Sequence, residues 1–136
     1  MNYCQIIRAD TANGEGFRLS LFVSGCRNHC PGCFQKETWD FNYGEPFTEQ
    51  VQDQLLRELA QPFYEGITIL GGEPFEPENQ KVLLPLLERI HQQLPQKNVW
   101  IYTGYLFDTD LSRVGKCYLD GITDKILALT DVLVDG

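Results

Sequence analysis

The stretch Gly66-Ile67-Thr68-Ile69-Leu70-Gly71-Gly72 decides the fold class. Its run of β-branched and apolar residues, stopped by two glycines, predicts a buried strand over Gly66–Leu70. A helical pattern follows from Asn79 to about Leu94, and Val99–Thr103 predicts the next strand. A strand, a helix and a strand in this order form a right-handed crossover, so we expect two neighbouring parallel strands. The sequence therefore predicts an α/β fold.

The same alternation continues on both sides of this unit. Upstream, Arg18–Val23 predicts a strand, and Thr48 is the expected N-cap of a helix. Downstream, residues 119–129 predict a weak helix and Val132–Val134 a fourth strand. No repeat or linker divides the chain, so we expect a single domain over residues 1–136.

Composition and charge exclude several classes of protein. The 136 residues are 43% hydrophobic, which is typical of a globular domain, and the formal net charge is −8. A surface of that charge repels phosphate backbones, so we expect no nucleic-acid partner. No apolar run approaches the roughly 18 residues of a membrane span, and residues 1–4 do not resemble a secretory signal. We expect a cytoplasmic protein with no membrane partner.

The distribution of the five cysteines points to a metal. Cys4 and Cys117 stand alone and are expected to be small buried hydrophobes, whereas Cys26, Cys30 and Cys33 fall within eight residues. An odd number of cysteines in a protein of a reducing compartment argues against structural disulfides. The clustered cysteines therefore need another explanation.

Three close thiolates fit two kinds of metal site. A structural zinc site needs four ligands, which His29 would complete with the three cysteines. An iron–sulfur cluster bound by three cysteines leaves one iron open, and an open metal position is where a substrate binds. From the spacing alone, a cluster, a zinc site and three incidental thiols all stay open.

The unusual motifs follow three successive predicted strands. The cysteine run follows the first, Gly71-Gly72-Glu73-Pro74 the second and Thr103-Gly104-Tyr105 the third. In parallel sheets, ligands bind at the carboxyl ends of the strands, so we expect these motifs to form one site. Glu73 would offer an acceptor to an ammonium group there. Three cations are expected to surround the anionic cysteine loop: Arg18, Arg27 and Lys36.

The motifs also carry a family resemblance. Cys-x₃-Cys-x₂-Cys followed by an aromatic residue, Phe34, resembles the signature of the radical S-adenosylmethionine (SAM) superfamily. Gly71–Pro74, which begins 38 residues after Cys33, resembles the second motif of that superfamily. Within it, the chain is similar to the activating proteins of anaerobic ribonucleoside-triphosphate reductases. Those proteins continue beyond the Asp135-Gly136 pair, so we expect the family's usual C-terminal stretch to be lacking here.

The resemblance implies a fold and a set of site residues. The fold would be an incomplete (β/α) barrel of mostly parallel strands, of the radical SAM type. Cys26, Cys30 and Cys33 would bind a 4Fe–4S cluster, with SAM as the second cofactor. No catalytic residue is implied beyond the cluster and SAM, and Glu73 would lie near the SAM ammonium group. The residues implied to cradle SAM are Gly32, Cys33, Phe34, Gly71, Gly72 and Glu73.

The resemblance also implies an activity and its partners. SAM would be cleaved reductively to a 5′-deoxyadenosyl radical, which generates the glycyl radical on the large catalytic subunit of the reductase. A flavodoxin-like protein would supply the electron, and a homodimer is compatible with the sequence without being specified by it. Three alternatives stay open: activation of another glycyl-radical enzyme such as pyruvate formate-lyase, a zinc-stabilised interaction module, and an α/β scaffold that has lost its cofactor.

Overall fold

A mixed six-stranded sheet with three helices makes up the structure, a computed structural model that describes residues 1–27, 36–113 and 115–135. The elements are β1 (Asn2–Asp10), β2 (Phe17–Val23), a 3-10 helix (Lys36–Trp39), β3 (Glu45–Pro46), α1 (Glu49–Leu59), β4 (Tyr64–Gly71), α2 (Pro77–Gln93), β5 (Asn98–Tyr102), α3 (Thr123–Ala128) and β6 (Val132–Val134).

The strand order in the sheet is β3-β1-β2-β4-β5-β6. β2, β4, β5 and β6 are parallel neighbours, whereas β1 is antiparallel to both β2 and β3. The α/β prediction and the parallel pairing of β4 with β5 are confirmed. The sequence did not predict β1 or β3, which makes the sheet mixed and gives it six strands instead of four.

α1 and α2 begin at residues that suit helix starts. The Thr48 hydroxyl accepts a hydrogen bond from the Val51 N–H at 3.2 Å, which confirms the predicted N-cap of α1. α2 begins at Pro77, earlier than the predicted Asn79, because proline suits the first helical position. Within the three described ranges, no helix is long and apolar enough to cross a membrane.

One face of the sheet forms the hydrophobic core. Side chains alternate across a strand, so every second residue of β2, β4 and β5 points to the same side. The fully or almost fully buried strand residues on this side are Leu19, Leu21, Val23, Ile67, Ile69, Val99 and Ile101. They belong to one cluster with helix residues that include Leu55, Leu59, Leu83, Leu86, Leu87, Ile90 and Ile126.

The opposite face mixes apolar residues, such as Phe22 and Leu70, with polar ones, and carries the buried Arg18 near the amino end of β2. Its Nε donates to Thr68 Oγ1 at 2.7 Å and its Nη2 to the Ile67 carbonyl at 2.9 Å. Nη1 reaches the Glu15 carbonyl at 3.1 Å, and the guanidinium lies over the Trp100 ring. Burial lowers the pKa of Arg18. Arg18 was expected beside the cysteine loop, but it lies at the amino end of β2, whereas Cys26 follows the carboxyl end.

Candidate metal and cofactor site

Three loops meet at the carboxyl ends of the parallel strands. Cys26 follows β2, the Gly71-Gly72-Glu73 turn ends β4, and Thr103-Gly104 follows β5. The Glu73 N–H donates to the Gly25 carbonyl at 2.8 Å, and the Gly104 N–H donates to Glu73 Oε1 at 2.8 Å. The structure thus brings Cys26, the glycine turn and the loop after β5 together at one edge of the sheet.

The two glycines of the turn are required by close approach of the backbone. Gly71 has φ +110°, and a Cβ there would lie 2.8 Å from the N and O atoms of Val23. A Cβ on Gly72 would lie 2.7 Å from the Gly25 carbonyl oxygen. A larger residue at Gly71 would therefore push the turn away from the end of β2, and one at Gly72 would push it away from the loop that carries Cys26.

Glu73 links the turn to the loop after β5. Its side chain is 1% exposed, and Oε2 accepts from Thr103 Oγ1 at 2.5 Å and from the Phe75 N–H at 2.9 Å. With the Gly104 bond, three donors meet this carboxylate. Burial raises the pKa of Glu73, these donors oppose the rise, and the nearby Glu76 carboxylate adds to it. The hydrogen bonds of the Glu73 carboxylate therefore join the turn after β4 to the loop after β5.

The backbone around Cys26 is held on its other side by the 3-10 helix. The Gly25 N–H donates to the Thr38 carbonyl at 2.7 Å, and the Cys26 N–H donates to the Trp39 carbonyl at 3.3 Å. Cys26 is half-buried and is not in a disulfide. These two hydrogen bonds therefore hold the main chain of Cys26, the first cysteine of the run, at the edge of the sheet.

Of the cations expected near this loop, Arg27 directly follows Cys26. Its guanidinium pairs with the Glu78 carboxylate, at 3.0 Å and 2.5 Å, and lies over the Phe41 ring. The hydrogen bond that Arg27 donates to Glu78 raises the pKa of Arg27 further above its ordinary value. The backbone of Lys36 begins the 3-10 helix. The Arg27 guanidinium thus lies next to Cys26 in the chain, but its charge is matched by the Glu78 carboxylate.

Several predicted site residues lie outside the described residues: His29, Cys30, Gly32, Cys33 and Phe34. Among the residues that are described, no group of three or more His, Cys, Asp and Glu side chains is arranged to hold a metal ion. Cys26 nevertheless supplies a thiol at the right edge of the sheet, and thiolate is the usual ligand of iron–sulfur clusters. Of the isolated cysteines, Cys117 is buried as expected, and Cys4 is half-buried.

Sequence reasoning missed Glu76 and Asn79. Glu76 is 1% exposed and accepts from the Arg27 N–H at 2.6 Å and the Tyr105 hydroxyl at 2.7 Å. The Asn79 amide donates to the Glu73 carbonyl at 2.9 Å and is fully buried. The available signal was Pro77, which marks Glu76 as the N-cap of α2 and so places it at the carboxyl edge.

The comparison with protein families defines the class of this chain. The sequence profile of the family described as "4Fe-4S single cluster domain" matches residues 12–136. This match covers most of the chain, including Cys26 and the glycine turn. It favours an iron–sulfur cluster over a zinc site.

Similar proteins of known name place the chain more closely. It is 40% identical over 138 residues to the anaerobic ribonucleoside-triphosphate reductase-activating protein of Escherichia coli (strain K12), covering 100% of this chain and 84% of the relative. The proteins of the same name from Salmonella typhimurium and Enterobacteria phage T4 are 39% and 33% identical, and each alignment covers 100% of this chain and 84% or 80% of the relative. The chain belongs to the family of anaerobic ribonucleoside-triphosphate reductase-activating proteins.

Proposed function

We propose that this chain is a radical SAM enzyme that activates an anaerobic ribonucleoside-triphosphate reductase by generating its glycyl radical. The observation that carries the proposal is the contact between the loop of Cys26 and the glycine turn, through the 2.8 Å hydrogen bond from the Glu73 N–H to the Gly25 carbonyl. It places the start of the cysteine run beside the second motif of the superfamily. The names of the relatives supply the target of the activation.

Cys26, Cys30 and Cys33 bind the 4Fe–4S cluster in this proposal. Three thiolates leave one iron without a protein ligand, and that open position takes SAM. When bound, the cluster and SAM supply the chemistry, which is reductive cleavage of SAM and abstraction of hydrogen from a glycine of the target. The adjacent Arg27 guanidinium is paired with the carboxylates of Glu78 and Glu76, so it brings no net positive charge to the cysteine run.

The cradle for SAM consists of Gly32, Cys33 and Phe34 together with the turn Gly71–Glu73. We assign the contact with SAM to the main chain of the turn, close to the ammonium group. The Glu73 carboxylate has three donors and one remaining acceptor position, on Oε1, so its role is to fix the turn against Thr103 and Gly104.

The two faces of the sheet support the incomplete barrel of the radical SAM type. Apolar side chains of β2, β4 and β5 pack with the helices on one side, and Arg18, Ser20 and Thr68 are buried on the other. In a (β/α) barrel the helices lie outside and the opposite face of each strand lines the interior. An apolar outer face packed with the helices, and an inner face that also carries buried polar residues, agree with this arrangement.

The proposed target is the large catalytic subunit of the reductase. Two exposed apolar residues, Leu106 and Phe107, follow β5 close to the site, and the Phe107 N–H donates to Asp135 Oδ2 at 2.9 Å. Large exposed apolar patches mark interaction surfaces, and we propose that this pair forms part of one. A flavodoxin-like donor and a homodimer are further parts of the proposal, as is a cytoplasmic location, where thiols stay reduced.

The test is anoxic reconstitution with iron and sulfide, reduction, addition of SAM and chromatography for 5′-deoxyadenosine. We expect about four irons and four sulfides per chain and formation of 5′-deoxyadenosine. Zinc bound without sulfide would overturn the proposal in favour of the zinc-stabilised module. A complete cluster that leaves SAM intact would overturn the radical SAM mechanism alone.

A further inference from the structure

We propose that Glu76 is a positioning residue for Cys26. It acts by accepting a hydrogen bond from the Arg27 N–H, and so fixes where the cysteine run leaves the sheet. The inference rests on the proposed function, in which Cys26 is a ligand of the cluster.

Side chains from the start of α2 hold the chain on both sides of Cys26. Asn79 Nδ2 donates to the Ser24 carbonyl at 3.0 Å, two residues before the cysteine. Glu76 Oε2 accepts from the Arg27 N–H at 2.6 Å, one residue after it. Together with the backbone bonds to Thr38 and Trp39, these contacts fix the main chain through this segment.

Glu76 is itself held rigidly. Its carboxylate is 1% exposed, and Oε1 accepts from the Tyr105 hydroxyl at 2.7 Å. The Arg27 Nη1 lies 3.5 Å from Oε2. Burial, followed by the bond to Glu76, raises the pKa of Tyr105, so its hydroxyl stays a donor at neutral pH. Both oxygens of the buried carboxylate therefore have a hydrogen-bond donor, and these bonds offset the free-energy cost of burying the charge.

The side chain of Glu76 does not serve its own helix. Glu76 is the N-cap of α2, and an N-cap side chain commonly accepts a hydrogen bond from an N–H of the first turn. Here the side chain makes no such bond and reaches Arg27 and Tyr105 instead. The helix keeps only the favourable interaction of its N-terminal dipole with a carboxylate. The contact with the cysteine loop is therefore the main role of this side chain.

The consequence is measurable in the retention of iron. Groups that orient the ligands of a metal without touching it change metal affinity by about 10–100-fold when they are removed. If Glu76 positions Cys26, removal of the Glu76 carboxylate leaves the Arg27 N–H without its acceptor and allows Cys26 to move. The cluster should then release iron faster and change its electronic environment, even where the rest of the chain stays folded.

The test compares three reconstituted variants with the native chain in the absence of SAM. Glu76→Leu has a similar size and no acceptor, whereas Glu76→Gln keeps a carbonyl for the Arg27 N–H and an amide for the Tyr105 oxygen. Glu78→Gln is the matched control, because it weakens the exposed pair with Arg27 and leaves the backbone bond intact. The readouts are the rate of iron release to a chelator and the EPR spectrum of the reduced cluster. Urea unfolding of each apoprotein checks the fold.

We expect iron release at least about tenfold faster in Glu76→Leu, with shifted g-values, and within about threefold of native in the two glutamine variants. A folded Glu76→Leu with the native release rate and spectrum would overturn the inference. If Glu76→Leu does not fold, Tyr105→Phe carries the test: iron release faster than in both glutamine variants is expected, and a rate no faster than theirs would overturn the inference. Failure of the native chain to assemble a 4Fe–4S cluster would instead overturn the proposed function.

Discussion

The hydroxyl of Thr103 offers a direct test of how the loops of the site are joined. Thr103 Oγ1 donates to Glu73 Oε2 at 2.5 Å and accepts from the Tyr105 N–H at 3.1 Å. Thr103 is 7% exposed and Glu73 is 1% exposed, so water does not readily replace either partner. Thr103→Val removes the hydroxyl and keeps the shape of the side chain. It therefore isolates these two hydrogen bonds from packing.

The size of the effect follows from the two bonds. A hydrogen bond to a charged group contributes about 1.5–3 kcal/mol, and a buried donor left without a partner costs about 1–3 kcal/mol. Partial relaxation of the loop around Tyr105 reduces the sum, so we expect Thr103→Val to lower the free energy of unfolding by about 2–4 kcal/mol. Thr103→Ser keeps the hydroxyl and loses one methyl group, which costs about 1 kcal/mol.

The effect should also depend on pH. Burial raises the pKa of Glu73 above its value in the unfolded chain, so ionised Glu73 lowers stability as pH rises through the raised value. The Thr103 hydroxyl offsets this penalty by favouring the ionised carboxylate. The difference between Thr103→Val and native protein should therefore be larger at pH 7 than near pH 4, where Glu73 is protonated in the folded state.

The assay is urea unfolding of the apoprotein at both pH values, followed by circular dichroism and analysed by linear extrapolation. A loss below about 0.5 kcal/mol at pH 7, or a loss equal to that of Thr103→Ser, would refute the reasoning. It would mean that the Glu73 carboxylate does not depend on Thr103, and that the turn after β4 is held by its backbone contacts alone.

Three further predictions concern other parts of the fold and site. Cys30→Ala should abolish formation of 5′-deoxyadenosine, measured by chromatography after anoxic reconstitution, whereas the control Cys4→Ala should retain it; retention by both would remove Cys30 from the ligand set. Burial opposes ionisation of Asp10, but its hydrogen bonds outweigh burial and hold its pKa below the ordinary value. Its stabilisation is therefore present above about pH 4 and is lost as pH falls through the lowered pKa. Asp10→Asn should lower the free energy of unfolding in urea by about 1–3 kcal/mol at pH 7 and by less at about pH 3, and equal losses at both would contradict this account. Gly72→Ala places a methyl group 2.7 Å from the Gly25 carbonyl oxygen, so calorimetry of the apoprotein should show a lower Tm, and an unchanged Tm would show that the two loops separate without cost.

The parallel part of the sheet was predictable from the sequence because its strands and helices carry local signals. The β-branched run in Gly66–Leu70 and the N-cap at Thr48 both reflect interactions between near neighbours in sequence. β1 was not predicted because its residues lack a regular alternation of apolar and polar side chains, and its burial pattern is equally irregular. β3 has two residues, and its pairing with β1 depends on tertiary contacts.

In the candidate site, too, the features with local signals were predictable and the long-range contacts were not. Spacing and the ends of predicted strands located Cys26 and the Gly71–Glu73 turn at one edge, since parallel strands align their carboxyl ends. The partners of the charged side chains were not predictable, because they come from distant parts of the chain. Glu76 pairs with Arg27 and Tyr105, 49 and 29 residues away. Arg18, expected near the cysteines, is buried at the far end of the same strand.

The most direct test of the proposed activity is to detect the glycyl radical on the target. The reconstituted chain would be incubated anoxically with SAM, a reductant and the large catalytic subunit of an anaerobic ribonucleoside-triphosphate reductase, and the mixture examined by EPR. We predict the spectrum of a glycyl radical on the large subunit, dependent on SAM and absent with Cys30→Ala. A chain that holds its cluster and cleaves SAM but yields no radical on the large subunit would contradict the account.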